Sequence, residues 1–131
     1  MNRLLLLAAV LALLTALVHI VVGSLEITRP LLASAFSDEM KWLLFACWHL
    51  VSVVLALSAL ALLWGARQRG NGALAPMVNF ISLLWIGFAV VFVGVALSRP
   101  EPGWLLRLPQ WMALLPVGLI GLLSSALQGR R

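Results

Sequence analysis

The chain has 131 residues, of which 63% are hydrophobic and only 10% are charged, and its formal net charge is +5. In a water-soluble domain roughly a quarter of the residues are charged, and a domain this small cannot bury so large an apolar fraction. The composition therefore excludes a soluble globular protein and predicts one that is embedded in a lipid bilayer.

The apolar residues form continuous runs of about 20 residues, the length that an α-helix needs to cross the hydrocarbon core. In lipid every backbone N–H and C=O group must be paired within the protein, which leaves only helices and closed barrels. The alternating segments of a barrel, about ten residues each, do not occur in this sequence. We therefore predict an all-α integral membrane protein, in which residues 1–131 form a single four-helix transmembrane bundle with short loops.

The first predicted span covers residues 4–23 and follows a short start that contains Arg3. A basic start, an apolar run and small residues such as Gly23 and Ser24 are also features of a signal peptide. The apolar run is longer than the usual core of a signal peptide. We therefore interpret it as a retained helix.

The linker at 24–40 is more polar and contains two signals of helix starts. Pro30 suits the first turn of a short helix. Ser37 is a candidate N-cap, and the two acidic residues after it are favoured by the helix dipole. The second span then covers 41–64, and a basic, glycine-containing turn at 67–72 follows it.

The third span covers residues 76–97. Three prolines and a glycine between positions 98 and 110 predict a loop, and residues 104–108 within it are expected at the membrane interface. The fourth span covers 109–127. It contains Pro116, which we expect to kink the helix because proline cannot donate a backbone hydrogen bond.

The basic residues predict the orientation of the four spans. One side receives five arginines and no acid: Arg3, Arg67, Arg69, Arg130 and Arg131. The other side receives four bases together with all four acids: Arg29, Lys41, Arg99, Arg107, Glu26, Asp38, Glu39 and Glu101. Since cytoplasmic loops carry an excess of Lys and Arg, both termini are predicted to be cytoplasmic, in a plasma membrane of the bacterial inner-membrane type. The bases form no single patch, so no nucleic acid partner is predicted.

Polar side chains within the spans are candidates for function because they are costly in hydrocarbon. His19 lies about 9 Å below the outer end of the first span, and His49 lies about 12 Å below the outer end of the second. Because consecutive spans are antiparallel, both imidazoles are expected at one level in the outer half, facing the bundle interior or a partner. Thr15, Ser52 and Glu26 share the helix faces of the two histidines and complete this candidate polar site.

Three interpretations of the histidine pair remain open. His19 and His49 can ligate a metal ion or a haem between two helices, because imidazole binds iron, copper and zinc. With Glu26 they can relay protons or line a substrate cavity. The simplest interpretation is that each ring forms a hydrogen bond that fixes helix packing. Two histidines are an incomplete structural zinc site, and Cys47 is about 200° around the helix from His49, as expected for a small buried hydrophobe.

Small residues on the last two spans predict packing faces, since they let helices approach closely in lipid. On the third span these residues are Gly87 and Gly94, and on the fourth they are Gly118 and Gly121. Docking of a partner helix, or dimerisation, is the second interpretation of both pairs.

In size and number of spans the chain is similar to the small multidrug-resistance transporters. Those proteins depend on a membrane-embedded glutamate in their first helix, whereas residues 4–22 contain no acid and Glu26 lies at the interface. The resemblance therefore assigns no functional residue.

The spans contain no nucleophile–base arrangement, phosphate-binding glycine loop or carboxylate pair, so no enzymatic activity is predicted. Small-residue stripes are abundant, whereas polar groups are few. We predict an accessory subunit or assembly factor that packs against other membrane helices, in a homo-oligomer or a larger membrane complex. The alternative is a cofactor-binding protein (haem or metal), or one that handles protons or a substrate, built on His19 and His49.

Overall fold

The computed structural model describes residues 2–68 and 72–128, and this part of the chain is helical without any strand. The long N-terminal helix consists of α1 (Arg3–Gly23), a π-helical turn (Ser24–Thr28) and α2 (Arg29–Leu32), which together run unbroken over Arg3–Leu32. The remaining elements are α3 (Asp38–Arg67), a 3-10 turn (Gly72–Leu74), α4 (Ala75–Leu97), the single turn α5 (Trp104–Arg107) and α6 (Trp111–Gln128).

Four helices are long and apolar enough to cross a membrane, namely Arg3–Leu32, Asp38–Arg67, Gly72–Leu97 and Trp111–Gln128. The all-helical prediction with four apolar spans is thus confirmed, and these features are those of a multi-pass membrane protein. The observed helices overlap the predicted spans 4–23, 41–64, 76–97 and 109–127. Arg69, Arg130 and Arg131, which the sequence assigns to the cytoplasmic side, lie outside the described residues.

The first helix extends nine residues beyond the predicted end because the chain does not leave the helix at Gly23. In the π-helical turn the carbonyl of Ser24 accepts the N–H of Arg29, and it also accepts the hydroxyl of Thr28 at 2.6 Å. Pro30 occupies the first turn of α2, where its missing N–H is tolerated. The 30-residue helix is therefore about 45 Å long, at ~1.5 Å per residue.

The predicted cap of α3 is present. The Ser37 hydroxyl accepts a hydrogen bond from the Met40 N–H at 3.4 Å, and Asp38 and Glu39 occupy the first turn. The last long helix, α6, continues through Pro116 from Trp111 to Gln128.

In the bundle α1 packs against α3 on one side and α6 on the other, and α6 in turn packs between α1 and α4. A smaller contact joins α4 to α3. The buried face of α1 consists largely of alanines: Ala8, Ala9, Ala12 and Ala16. These small side chains allow helices to approach closely in lipid.

A buried hydrogen bond links α4 to α3. Trp85 is fully buried, and its indole Nε1 donates to the hydroxyl of Ser58 at 2.9 Å. The same hydroxyl donates to the Leu55 carbonyl at 3.0 Å. Both polar groups are therefore satisfied in the core, as buried indole and hydroxyl groups generally are.

Asn2 ties together the ends of three helices. Its side-chain oxygen accepts from the Leu5 N–H at 3.3 Å and caps α1, while its Nδ2 donates to the Ser124 hydroxyl of α6 at 2.6 Å. Its backbone N–H donates to the Ala66 carbonyl of α3 at 2.9 Å. The start of α1 and the ends of α3 and α6 consequently meet at one end of the bundle.

The two glycine pairs occupy different environments. Gly118 and Gly121 are buried where α6 meets α4, and a Cβ on Gly118 would lie 2.6 Å from the Ser82 carbonyl oxygen. Gly87 and Gly94 are exposed on α4, and a Cβ at either position would meet nothing within 4 Å. The pair on α6 packs within the chain, whereas the packing predicted for Gly87 and Gly94 is not formed within the chain.

Candidate functional site

His19 contacts α3 directly. Its ring is half-buried and stacks on the indole of Trp48, with the ring centroids 4.0 Å apart and the planes inclined by 12°. His19 Nε2 lies 3.4 Å from the backbone oxygen of Trp48. Because a carbonyl oxygen can only accept, Nε2 donates the hydrogen, and in the neutral ring Nδ1 keeps a free lone pair.

Gly23 provides the space that the Trp48 indole occupies. A Cβ on Gly23 would overlap the six-membered ring of the indole, with Cη2 at 2.8 Å. The indole Nε1 is buried and has no hydrogen-bond partner within the described part of the chain. Trp48 therefore packs against α1, with its indole resting on Gly23.

His49 follows Trp48 in sequence and lies at the same level as His19, but its side chain is exposed. The imidazole makes an edge contact with Phe45, with centroids 4.4 Å apart and the planes at 75°. Among residues 2–68 and 72–128 it forms no hydrogen bond. Since His19 stacks on Trp48, the residue before His49, the two histidines lie at similar heights on adjacent helices, but their rings point in different directions.

The side of α3 that faces the bundle agrees with the predicted one only in part. The packed stripe passes through Trp48, Ser52, Leu55, Ala59 and Leu62, all buried except the half-buried Trp48. The face that the sequence predicts around His49 shares Ser52 and Ala59 with this stripe, but its Trp42, Ala46 and His49 are exposed. Neighbouring residues are about 100° apart around a helix, so placing the large indole against Gly23 turns His49 outward. An orientation toward the interior is found for His19 only.

The other members of the candidate polar site are dispersed. The half-buried Thr15 hydroxyl donates to the Leu11 carbonyl of its own helix at 2.8 Å, and buried Ser52 donates to the Trp48 carbonyl at 3.1 Å. Such bonds to the preceding turn satisfy a hydroxyl without any further partner. Glu26 is exposed in the π-helical turn and forms no ion pair within the described residues. Cys47 is exposed and not buried as predicted, because it lies on the side of α3 away from α1.

The two histidines do not belong to a larger ligand cluster. Within the described residues, no group of three or more His, Cys, Asp or Glu side chains is placed to hold a metal ion. For a metal ion or haem, the described residues provide two candidate ligands, the free Nδ1 of His19 and the exposed ring of His49. Any further ligand has to come from another molecule or from residues outside the described ranges.

The exposed side of α3 forms one continuous apolar face, spaced at three to four residues: Trp42, Ala46, His49, Leu50, Val53, Leu57, Leu60 and Trp64. The tryptophans at its two ends are about 33 Å apart along the axis, at ~1.5 Å per residue. This separation matches a hydrocarbon core of about 30 Å with an aromatic residue at each boundary. His49 is the single polar residue of this face.

Two important residues were not singled out by the sequence. Asn2 lies two residues before the apolar run that begins at Leu4, and an asparagine at the start of such a run is the signal that could have identified it as a cap. The contact of Trp48 with Gly23 has a weaker signal, a large ring and a glycine at matching levels of two antiparallel spans.

Comparisons with protein families, with curated proteins and with solved structures find no match for this chain. The function of the protein is therefore inferred from the contacts and the exposure of the described side chains.

Proposed function

We propose that this protein is a multi-pass membrane subunit that docks on the helix of another membrane protein through the exposed face of α3 around His49. The supporting observation is a polar ring at membrane depth that has no hydrogen bond within the described residues and lies on an otherwise apolar face. An unpaired polar group is costly in hydrocarbon. A hydrogen bond to a neighbouring helix removes that cost and contributes about 1 kcal/mol.

The membrane location and the orientation are part of this proposal. Arg3 and Arg67 lie at the end of the bundle where Asn2 meets Ala66 and Ser124. The sequence adds three more arginines to this end, so we assign it to the cytoplasmic side of a plasma membrane of the bacterial inner-membrane type. His49 then lies in the outer half, about 10 Å below Trp42 at ~1.5 Å per residue.

The partner is a transmembrane helix of definable chemistry. It carries a carboxylate, amide or hydroxyl group at the level of His49, and small residues beside that group so that the two helices approach closely. The low burial of α3 supports a surface that is free for a partner. Only 22% of its most apolar 18-residue stretch is buried within the chain, the lowest share among the four spans. Trp42 and Leu50 flank the histidine and supply apolar contact area.

A second function, cofactor or proton handling, is favoured by one specific observation. His19 and His49 lie at one level on adjacent helices, and the Nδ1 of His19 has no hydrogen-bond partner within the described residues. In this alternative the partner supplies the remaining ligands of a haem or metal ion. A Soret band or stoichiometric metal in the purified complex, lost in both His19→Ala and His49→Ala, supports the alternative over a simple docking role.

The docking proposal is tested by photo-crosslinking in native membranes. A photoreactive amino acid is placed at Val53, one turn from His49 on the same face, and in a matched control at Phe80, which is equally apolar and exposed on α4. We expect one discrete cross-linked product from Val53 and none of that size from Phe80. The product disappears with His49→Leu, which removes only the polar contact, and persists with His49→Gln, which can still form a hydrogen bond. The same product in His49→Leu at full yield would rule out docking through the imidazole.

A further inference from the structure

The loop at 98–110, between α4 and α6, brings two cations to one aromatic ring. The guanidinium carbons of Arg99 and Arg107 lie 5.6 Å and 5.4 Å from the ring centroid of Trp104. A guanidinium group near an indole face is attracted by the ring quadrupole. Trp104 therefore holds both arginines at the same end of the bundle, opposite the end where Asn2 lies.

One of these two cations is left without a counter-charge. Arg107 Nη1 lies 3.7 Å from Glu101 Oε2. Arg99 forms no ion pair in the described ranges, and it lines an open cleft of about 480 Å³ between the end of α4 and the loop. Glu101 lines the same cleft, and the charge of its carboxylate is balanced by Arg107. The cleft therefore offers an uncompensated guanidinium group to an anion.

The rim of the same cleft is apolar and exposed. Leu97 and Leu106 line it, with 68% and 75% of their surfaces exposed. Leucines beside a cation are unfavourable in bulk water but suit the boundary where acyl chains meet headgroups. The combination fits a ligand that is anionic at one end and hydrocarbon at the other.

We infer that this cleft binds an anionic glycerophospholipid at the outer surface of the membrane. Arg99 contacts the phosphate, and the acyl chains lie over Leu97 and Leu106. Guanidinium groups suit phosphate because they can donate two parallel hydrogen bonds. A free phosphate ion uses the same cation but gains nothing from the leucines. The inference rests on the membrane location proposed above and is independent of the interface at His49.

Native mass spectrometry from detergent tests this site with a defined probe. The purified protein is mixed with equal amounts of phosphatidylglycerol and phosphatidylcholine that carry identical acyl chains. We expect preferential retention of one phosphatidylglycerol molecule. Arg99→Gln lowers that retention about fivefold, the effect of one arginine near an anionic surface. Arg29→Gln is the matched control, since Arg29 is also exposed, has no ion pair in the described ranges and lies in α2, at the same end of the bundle.

Further variants separate a lipid from a free anion. Leu106→Gln is expected to lower lipid retention while binding of inorganic phosphate stays unchanged. An unchanged thermal midpoint shows that Arg99→Gln is folded. If that variant unfolds, Arg99→Lys replaces it and should retain an intermediate amount of lipid. Equal retention of the two lipids by the parent protein, or an equal loss in Arg29→Gln, would overturn the inference. Full retention of phosphatidylglycerol by Leu106→Gln would show that the cleft binds a phosphate ion and not a lipid.

Discussion

Replacing Gly118 with alanine tests how tightly α6 packs on α4. The new Cβ would lie 2.6 Å from both the Ser82 carbonyl oxygen and Ile86 Cγ1, and 3.1 Å from the Ile86 backbone nitrogen. Ordinary contacts are about 3.5–4 Å, so the helices have to move apart, and backbone atoms cannot turn aside as a side chain can. Overpacking of this kind costs about 1–3 kcal/mol. Alanine recovers up to ~1 kcal/mol of helix propensity, so we expect a net loss of about 2 kcal/mol.

The same substitution at Gly87 is the control, because a Cβ there meets nothing within 4 Å. Gly87→Ala should leave stability unchanged or raise it by up to ~1 kcal/mol through helix propensity. The assay is equilibrium unfolding in mixed detergent micelles, followed by far-ultraviolet circular dichroism. The packing argument is refuted if the two variants differ by less than about 0.5 kcal/mol, the usual range of surface substitutions.

Gly121→Ala extends this test of packing, because the atom nearest to the new Cβ belongs to a side chain and can be removed by a second substitution. A Cβ on Gly121 would overlap the hydroxyl oxygen of Ser82, while the Ser82 Cβ is 3.3 Å away. Adding Ser82→Ala removes that oxygen and should restore most of the stability lost in Gly121→Ala. The same addition should not rescue Gly118→Ala, whose clash is with the Ser82 carbonyl. Equal rescue of both variants would show that the clashes have been assigned to the wrong atoms.

Three further substitutions address the remaining contacts. Ser58→Ala leaves the buried Trp85 indole without its acceptor and should destabilise the protein by about 1–3 kcal/mol in the same unfolding assay. Asn2→Ala removes the cap of α1 and the bond to α6, and should cost about 1–2 kcal/mol, most of it recovered by Asn2→Asp, which retains the cap. Gly23→Ala displaces the Trp48 indole and should alter the near-ultraviolet circular dichroism of the protein, with a loss of about 1–3 kcal/mol.

Each of these expectations has an outcome that contradicts it. If Ser58→Ala costs as much in a Trp85→Phe background as alone, the hydrogen bond is not the reason. If Asn2→Asp is as unstable as Asn2→Ala, capping of α1 is not the main contribution. If Gly23→Ala leaves the spectrum unchanged, Trp48 does not rest on the Gly23 backbone.

The sequence predicts the number and type of elements well because membrane spans have a strong local signal. Continuous apolar runs of span length, the Ser37 cap and proline in a first helical turn each identify a helix without knowledge of its neighbours. The end of the first helix is harder to predict. Gly23 and the polar residues after it suggest a stop, whereas a π-helical turn keeps the chain helical as far as Leu32.

The sequence cannot decide which side of each span faces the bundle. In a soluble helix the polar face identifies the outside, but in lipid both the inside and the outside are apolar. Trp48 and His49 are adjacent in the sequence, and only one of them can face α1. Trp48 does so because Gly23, on another helix, has no side chain and leaves room for the indole. Gly87 and Gly118 are equally plausible packing residues by spacing, and only the assembled structure shows that one is buried and the other open.

The position of α1 between α3 and α6 has a consequence for biogenesis. Of the four long helices, α1 is synthesised before both of its partners, and its bond from Asn2 to Ser124 joins residues 122 positions apart. At ~5–20 residues per second, the flank of α1 that meets α6 stays uncovered for on the order of ten seconds before α6 is complete. The alanines on the buried face of α1 present little surface to other helices during this time. The nascent chain can therefore remain in the bilayer without a strong non-native contact until α6 is inserted.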